Sequence, residues 1–477
     1  MDSFFRKTAL IGVAEIFCRV PLIFTVGYLA RNIGAENFGN WTLILALQVF
    51  IVGFASLGLS PALSRYAPAC RPGEAAAYLR YAFVLCLAPI VVAAVLSFVL
   101  RAPIGNLLGI KMELHWLVPM AVLLAAGSVA DSLLDAFFKA RMAVGRQICF
   151  VAARTLIEVI AVVLVFVSAS PSLDEAPSRL AAYVGVVVLG KLVIYPALLS
   201  GMTKGDWLPQ PDRRREFLTY GLPMVPTLLA VWLVSQSDRL VLSHFVAKSD
   251  LGVYAFGASL ATYMVFLGYA VYPLLMPGAS RLHDGGNIAG VQSLFQSSQR
   301  LFMLLWAGGM TCLALWSADI ISWTGGDAFA GAGKILLVLS FAVGLEQLMG
   351  IYQFVFHLVK RTDLILWLEI AYATIVIGSL AIAGIMSGIA WAPWAILAAT
   401  LIFNVLRYRI ALRYVFLPVS SMLVMQVVAL AVLTALLAHF AADWNVFLRL
   451  AITAVVVLSL ASITLRRMAD PIPVTLP

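Results

Sequence analysis

Runs of about 20 apolar residues, each long enough to cross the ~30 Å hydrocarbon core of a bilayer as a helix, recur from Thr8 almost to the C-terminus. The runs are continuous, which excludes the two-residue alternation of barrel strands. In hydrocarbon a helix also satisfies its backbone N–H and C=O groups within its own segment. Fourteen spans can be drawn, at roughly 8–30, 39–60, 81–100, 115–138, 148–168, 180–201, 217–242, 251–276, 299–320, 335–358, 364–385, 390–406, 415–440 and 450–465. Only 12% of the 477 residues are charged, where a soluble domain has about a quarter. The expected fold class is all-α, a polytopic membrane protein.

Charge orients the spans, because cytoplasmic loops collect Lys and Arg. With the N-terminus inside, the inner segments hold 21 of the 32 Lys and Arg residues and the outer segments hold 7. That bias runs through every alternate loop, so both termini are expected in the cytoplasm. The net charge of +9 resides in these short loops and implies no nucleic-acid partner. Glu15 and Arg19 interrupt the first run, which argues against a cleaved signal peptide. Cys18, Cys70, Cys86, Cys149 and Cys312 lie in spans or inner loops and imply no disulfide framework.

The chain also repeats itself. "LSPALSRY" (59–66) and "LMPGASRL" (275–282) close two apolar runs with the same Pro-x-x-Ser-Arg. Sliding the chain by 213 residues brings Phe4 onto Phe217, Leu29 onto Leu242, Gly39 onto Gly252 and Leu47 onto Leu260. A three-residue insertion then aligns Pro61 with Pro277 and Arg65 with Arg281. The offset is six spans, an even number, so the repeats share one topology and an axis along the membrane normal. The expected organisation is a first six-helix lobe (1–213), a second (214–413), and an extra helix pair with a short tail (414–477). Proline is expected to stop the second helix of each lobe, and arginine to anchor its inner end. Arg65 and Arg281 are alternatively gate candidates that meet an anionic ligand.

Ionisable groups at membrane depth are costly and mark candidate sites. Glu15 and Arg19, Asp131 and Asp135, and Arg154 and Glu158 are each four residues apart, so each pair shares a helix face. Lys191 sits near the middle of span 6, and Glu346 near the middle of span 10. Two readings stay open: self-paired charges that knit helices together, or a water-filled cavity in which a cation is left for a substrate anion. Spans 1, 5 and 6 supply Arg19, Arg154 and Lys191, whereas the second lobe supplies only Arg239 near a surface. This favours a cationic cavity in the first lobe, with Arg19, Glu15, Arg154, Glu158, Lys191, Asp131 and Glu346 as the candidate residues. No enzyme signature is present. "GAGKI" (331–335) lacks the first glycine and the Ser/Thr of a phosphate loop, and no metal or cofactor is expected.

One stretch is more specific. Arg31-Asn32-Ile33-Gly34, Phe38-Gly39-Asn40-Trp41, Leu57-Gly58-Leu59 and Arg65-Tyr66 resemble the Wzx-type polysaccharide flippases of the multidrug/oligosaccharidyl-lipid/polysaccharide (MOP) exporter superfamily. The resemblance covers the first two spans best and the remainder by topology. It implies a monomeric transporter of the bacterial inner membrane that flips polyprenyl-diphosphate-linked glycans to the outer leaflet by alternating access, among membrane lipids and other polysaccharide-assembly proteins. It also implies that Arg19 faces the cavity, and that spans 13 and 14 form either a groove for the lipid tail or a lipid-facing buttress. The alternatives are a cation-coupled drug exporter of the same fold, and an integral-membrane glycan polymerase or ligase.

The orientation has a direct test. In a cysteine-free variant, single cysteines in the 204–215 loop should resist a membrane-impermeant thiol reagent in intact cells, and those near Lys248 or Asp174 should react. The opposite labelling pattern would reverse the topology.

Overall fold

The protein is described here by a computed structural model. It covers residues 2–167, 175–200, 208–269, 271–359, 361–441 and 444–469, with the backbone alone at 2–14, 16, 281 and some other positions. The described residues form helices and no strand. In chain order these are α1 (Asp2–Ala55), α2 (Leu59–Tyr66), α3 (Pro72–Val99), α4 (Arg101–Leu107), α5 (Val118–Ala140), α6 (Val144–Val162), α7 (Ala176–Leu199), α8 (Pro211–Gly221), α9 (Val225–Leu242) and α10 (Lys248–Ala261). There follow α11 (Phe266–Tyr269), α12 (Tyr272–Asp284), α13 (Ile288–Thr324), α14 (Ala332–Gly350), α15 (Gln353–Leu358), α16 (Thr362–Ser387), α17 (Ala392–Ala411), α18 (Ser421–Phe440) and α19 (Val446–Ala469).

Twelve helices among the described residues are long and apolar enough to cross a membrane. One of them, Phe17–Ala55, contains two expected spans. It is broken at Gly34, whose φ of 78° and ψ of 164° suit only a residue without Cβ. The apolar stretch Val446–Leu460 in α19 is shorter. Each of the fourteen expected spans thus coincides with helix. The expected proline stops do not occur. The first chain break comes earlier, at Leu57 and Gly58 (φ 49° and 66°). Pro61 then lies in the first turn of α2, where its missing N–H would have no intrahelical partner anyway. Pro277 lies inside α12.

The chain forms two compact units. The first is made of Met1–Phe256, Thr324–Phe329 and Asp363–Ala395, and the second of Gly257–Trp323, Ala330–Thr362 and Ile396–Pro477. Within the first unit, α1 and α10 cross with their backbones in contact. A Cβ on Gly39 would stand 2.1 Å from the Lys248 carbonyl oxygen, and one on Gly252 would stand 1.8 Å from that of Ala35. Each would also lie 3.1 Å from the other glycine's nitrogen. These four residues are related by the same 213-residue slide, and the contact is reciprocal, as a two-fold relation requires. Phe38 packs edge-on to Phe256 and Phe329, with ring centroids 5.9 and 5.8 Å away. Trp41, almost fully buried, meets Tyr183. Phe38 and Gly39 of the motif therefore pack this crossing, and Trp41 packs α1 against α7.

Within the second unit, Leu423 and Leu430 of α18 join the core around Phe302, Trp306 and Leu345. Gly308 leaves room for Leu460 of α19. Arg449, at the start of α19, is 2.5 Å from the Asp319 carboxylate and stacks on Trp316 at 4.9 Å. Trp316 in turn donates to the Thr453 hydroxyl. The extra helix pair is thus built into the second unit along one face. Met425, Val428, Val432 and Leu436 of α18 stay exposed on another, as suits lipid contact.

Overpacking a tight core costs about 1–3 kcal/mol, and more where backbone is struck. Gly39→Ala and Gly252→Ala should each lower the melting temperature of the detergent-purified protein by several degrees. Gly378→Ala, whose new methyl meets nothing within 4 Å, should not lower it. Equal melting temperatures for all three would remove the crossing from the account.

Candidate functional site

Four helices of the first unit bring the intramembrane charges together: α1 with Glu15 and Arg19, α5 with Asp131, Asp135 and Lys139, α6 with Arg154 and Glu158, and α7 with Lys191. Their pairing is mostly between helices. Lys191 Nζ donates to Asp131 Oδ2 at 2.7 Å, with both side chains about nine-tenths buried. The Tyr195 hydroxyl donates to the other oxygen of the same carboxylate. Gly127 makes this possible, since a Cβ there would press on the lysine stem at 3.1 Å.

One turn nearer the end of α5, Lys139 bridges Glu15 at 2.7 Å and Asp135 at 2.9 Å. Gln147 donates to the second Asp135 oxygen at 2.7 Å. Arg19 stands 3.9 Å from Glu15, so lysine rather than arginine is the close partner of that carboxylate. Arg154 and Glu158 differ from the rest. They share a face of α6, yet neither makes a hydrogen bond or an ion pair with a described residue. Arg154 is only partly buried, and the carboxylates of Asp131, Glu158 and Asp135 attract it without touching it.

The bundle therefore carries four acidic and four basic groups among its described residues. It offers no surplus of positive charge. What it offers is a guanidinium whose five N–H donors are not committed to a described protein group. Of the other candidates, Glu346 lies in the second unit and is engaged there. Arg407, 1% exposed, meets it at 2.8 Å, and Asn404 donates to its second oxygen at 3.0 Å. Arg65 is exposed and stacks on Tyr220 at 5.0 Å. Arg281 lies in α12, and its side chain is outside the described residues.

Lys139 and Arg407 are the participants that sequence reading passes over. Both stand near helix ends, Lys139 in α5 and Arg407 in α17, where a basic residue reads as a boundary anchor. Lys139 reaches back along α5 into the bundle, and Arg407 reaches Glu346 within the second unit.

These features define a class, a multi-pass helical membrane protein. Its fold is that of the MOP superfamily. The structure superposes on the lipid II flippase MurJ in an inward closed conformation with a TM-score of 0.67 and 14% identity, covering 97% of this chain and 100% of that one. It superposes on an inward-facing multidrug resistance MATE family transporter of the MOP superfamily with a TM-score of 0.63 and 13% identity, covering 86% and 94%. Residues 4–282, more than half of the chain, match the family described as polysaccharide biosynthesis protein, and the chain belongs to that family. A relative from Haloferax volcanii, "Probable low-salt glycan biosynthesis flippase Agl15", is 22% identical over 340 residues, which is 70% of this chain and 68% of that protein.

Breaking a buried pair by removing one partner costs about 3–5 kcal/mol, because the survivor is left uncompensated. Asp131→Asn and Lys191→Met should each destabilise the purified protein strongly, and the double variant should recover part of the loss. A double variant as unstable as the sum of the two singles would show that the two residues do not interact.

Proposed function

We propose that the chain flips a lipid-linked oligosaccharide from the inner to the outer leaflet, with the diphosphate drawn into the polar bundle of the first unit. The observation that carries this reading is Arg154, a partly buried cation at membrane depth with no bonded partner among the described residues. A guanidinium left in this way suits a diphosphate, whose oxygens accept two parallel N–H bonds. Arg19 and Lys191 flank it as secondary donors, and Glu15, Asp131 and Glu158 keep the empty site neutral. Membership of a polysaccharide biosynthesis family, and similarity to a protein named as a glycan biosynthesis flippase, support the same substrate class.

Alternating access fits the repeat. The reciprocal Gly39–Gly252 contact supports two like halves that rock about a shared axis, as parallel-repeat transporters do. On this reading the polar bundle opens first toward the cytoplasm and then outward. Arg65 and Arg281 occupy repeat-equivalent positions at the inner rim. The protein works in the bacterial inner membrane, with both termini inside, as a monomer that receives its substrate from other polysaccharide-assembly proteins.

The test is a vesicle assay with purified protein and a fluorescent polyprenyl-diphosphate glycan, read by an impermeant quencher. Hydrogen bonds to a charged group contribute about 1.5–3 kcal/mol each, so Arg154→Ala should slow flipping about ten- to a hundred-fold. Arg154→Lys should recover part of the rate, because an ammonium lacks the guanidinium fork. The melting temperature should move little. An alanine variant with the wild-type rate, or a wild type that moves cationic dyes but no glycan, would overturn the reading.

A further inference from the structure

A second polar site lies outside the bundle, in the first unit, where α8 docks against α2 and α3. The docking is tight. Phe217 of α8 is fully buried among Tyr66, Tyr78 and Tyr81, with centroids 6.1, 5.1 and 6.4 Å away. Gly58 lets α2 meet the end of α8, since a Cβ there would stand 2.1 Å from the Gly221 carbonyl oxygen. The Leu-Gly-Leu and Arg-Tyr parts of the sequence motif are thus explained by α8, which they seat.

Three consecutive arginines open α8, and two of them are spent on this docking. Arg213 bonds Glu74 at 2.7 Å, and Arg214 stacks on Tyr81 at 5.8 Å. The third, Arg215, enters an open cleft of about 520 Å³ lined by Tyr66, Asp212, Arg215, Glu216, Thr219 and Tyr220. Asp212, Arg215, Glu216 and Thr219 recur at i, i+3, i+4 and i+7, so they form one stripe on α8. The Tyr66 and Tyr220 rings stand edge to face, 6.0 Å apart.

The chemistry of this lining selects its ligand. Asp212 and Glu216 are balanced by Arg215 and by Arg65 on the Tyr220 ring, so the cleft exerts no net pull on a phosphate. The carboxylates accept hydrogen bonds from hydroxyls. Arg215 and the tyrosine hydroxyls donate them, and the Thr219 hydroxyl, whose proton goes to the Arg215 carbonyl at 2.8 Å, accepts one. The electron-rich ring faces suit polarised C–H groups. The volume falls within the range of small-molecule sites. We infer that this cleft binds an uncharged sugar ring of the glycan, apart from the diphosphate site around Arg154. The inference rests on the lipid-linked glycan reading above. It assigns the two ends of one substrate to two places: the diphosphate to the bundle, and a neutral sugar to the face that carries the basic loops.

Saturation-transfer NMR on the full chain in nanodiscs tests it, with methyl glucoside, methyl galactoside, N-acetylglucosamine and glucuronate as probes. At least one neutral sugar should give a signal. The signal should fall at least five-fold in the double variant Asp212→Asn, Glu216→Gln and stay unchanged in Arg154→Ala. Glucuronate should give the weakest signal. The double variant keeps the buried docking contacts, so its fold should be intact, as its melting temperature will show. In the vesicle assay it should need at least a five-fold higher concentration of lipid-linked glycan for half-maximal flipping, at an unchanged maximal rate. No sugar signal, one equal in wild type and double variant, or glucuronate bound as well as the neutral sugars would overturn the cleft assignment. In that case glycan flipping by the wild type would leave the proposed function standing. Absence of flipping beside a specific sugar signal would remove the function and leave the cleft.

Discussion

A charge held in hydrocarbon must find an opposite charge, and the first unit is organised around that constraint. Eight ionisable side chains lie on α1, α5, α6 and α7, helices long and apolar enough to cross a membrane. Bare, each would be strongly disfavoured there. The structure answers with bonds across helices, Lys191 to Asp131, Lys139 to Glu15 and Gln147 to Asp135, and with one inside α5, Lys139 to Asp135. These ties fix the relative rotation of four helices whose apolar surfaces alone would specify it poorly. They also leave Arg154 and Glu158 in the field of the set without bonding to it. A site that is neutral when empty, with one guanidinium available, can take up an anion without a standing excess of charge.

Much of this was legible in the sequence. The apolar runs marked every span, and the 213-residue slide paired Gly39 with Gly252. The i, i+4 spacing put Glu15 with Arg19, Asp131 with Asp135, and Arg154 with Glu158 on shared helix faces. The partners were not legible. Lys191 and Asp131 are 60 residues apart, and no local spacing rule connects them. Lys139 and Arg407 looked like boundary anchors, because position along a helix does not reveal where a long side chain ends. The aligned glycines signalled descent from a duplication, and their contact with each other emerged only in three dimensions.

The same distinction applies to the motif that resembled polysaccharide flippases. Phe38 and Gly39 pack the crossing of α1 and α10 and Trp41 packs on α7, while Gly58, Arg65 and Tyr66 seat α8. These residues hold the fold of this chain together. Most residues proposed to meet the substrate lie elsewhere, on α6, α7 and the exposed stripe of α8, and Tyr66 belongs to both the motif and the proposed cleft.

The central claim is that the charged bundle of the first unit is a substrate site as well as a structural tie. Photoaffinity mapping tests it most directly. A polyprenyl-diphosphate glycan carrying a diazirine beside the diphosphate would be irradiated with the purified chain in nanodiscs, and the adducts located by peptide mass spectrometry. The account predicts adducts on the α6 and α7 peptides that contain Arg154 and Lys191, competed away by unlabelled lipid-linked glycan. Competable labelling confined to α18 and α19, with none on α6 or α7, would contradict it.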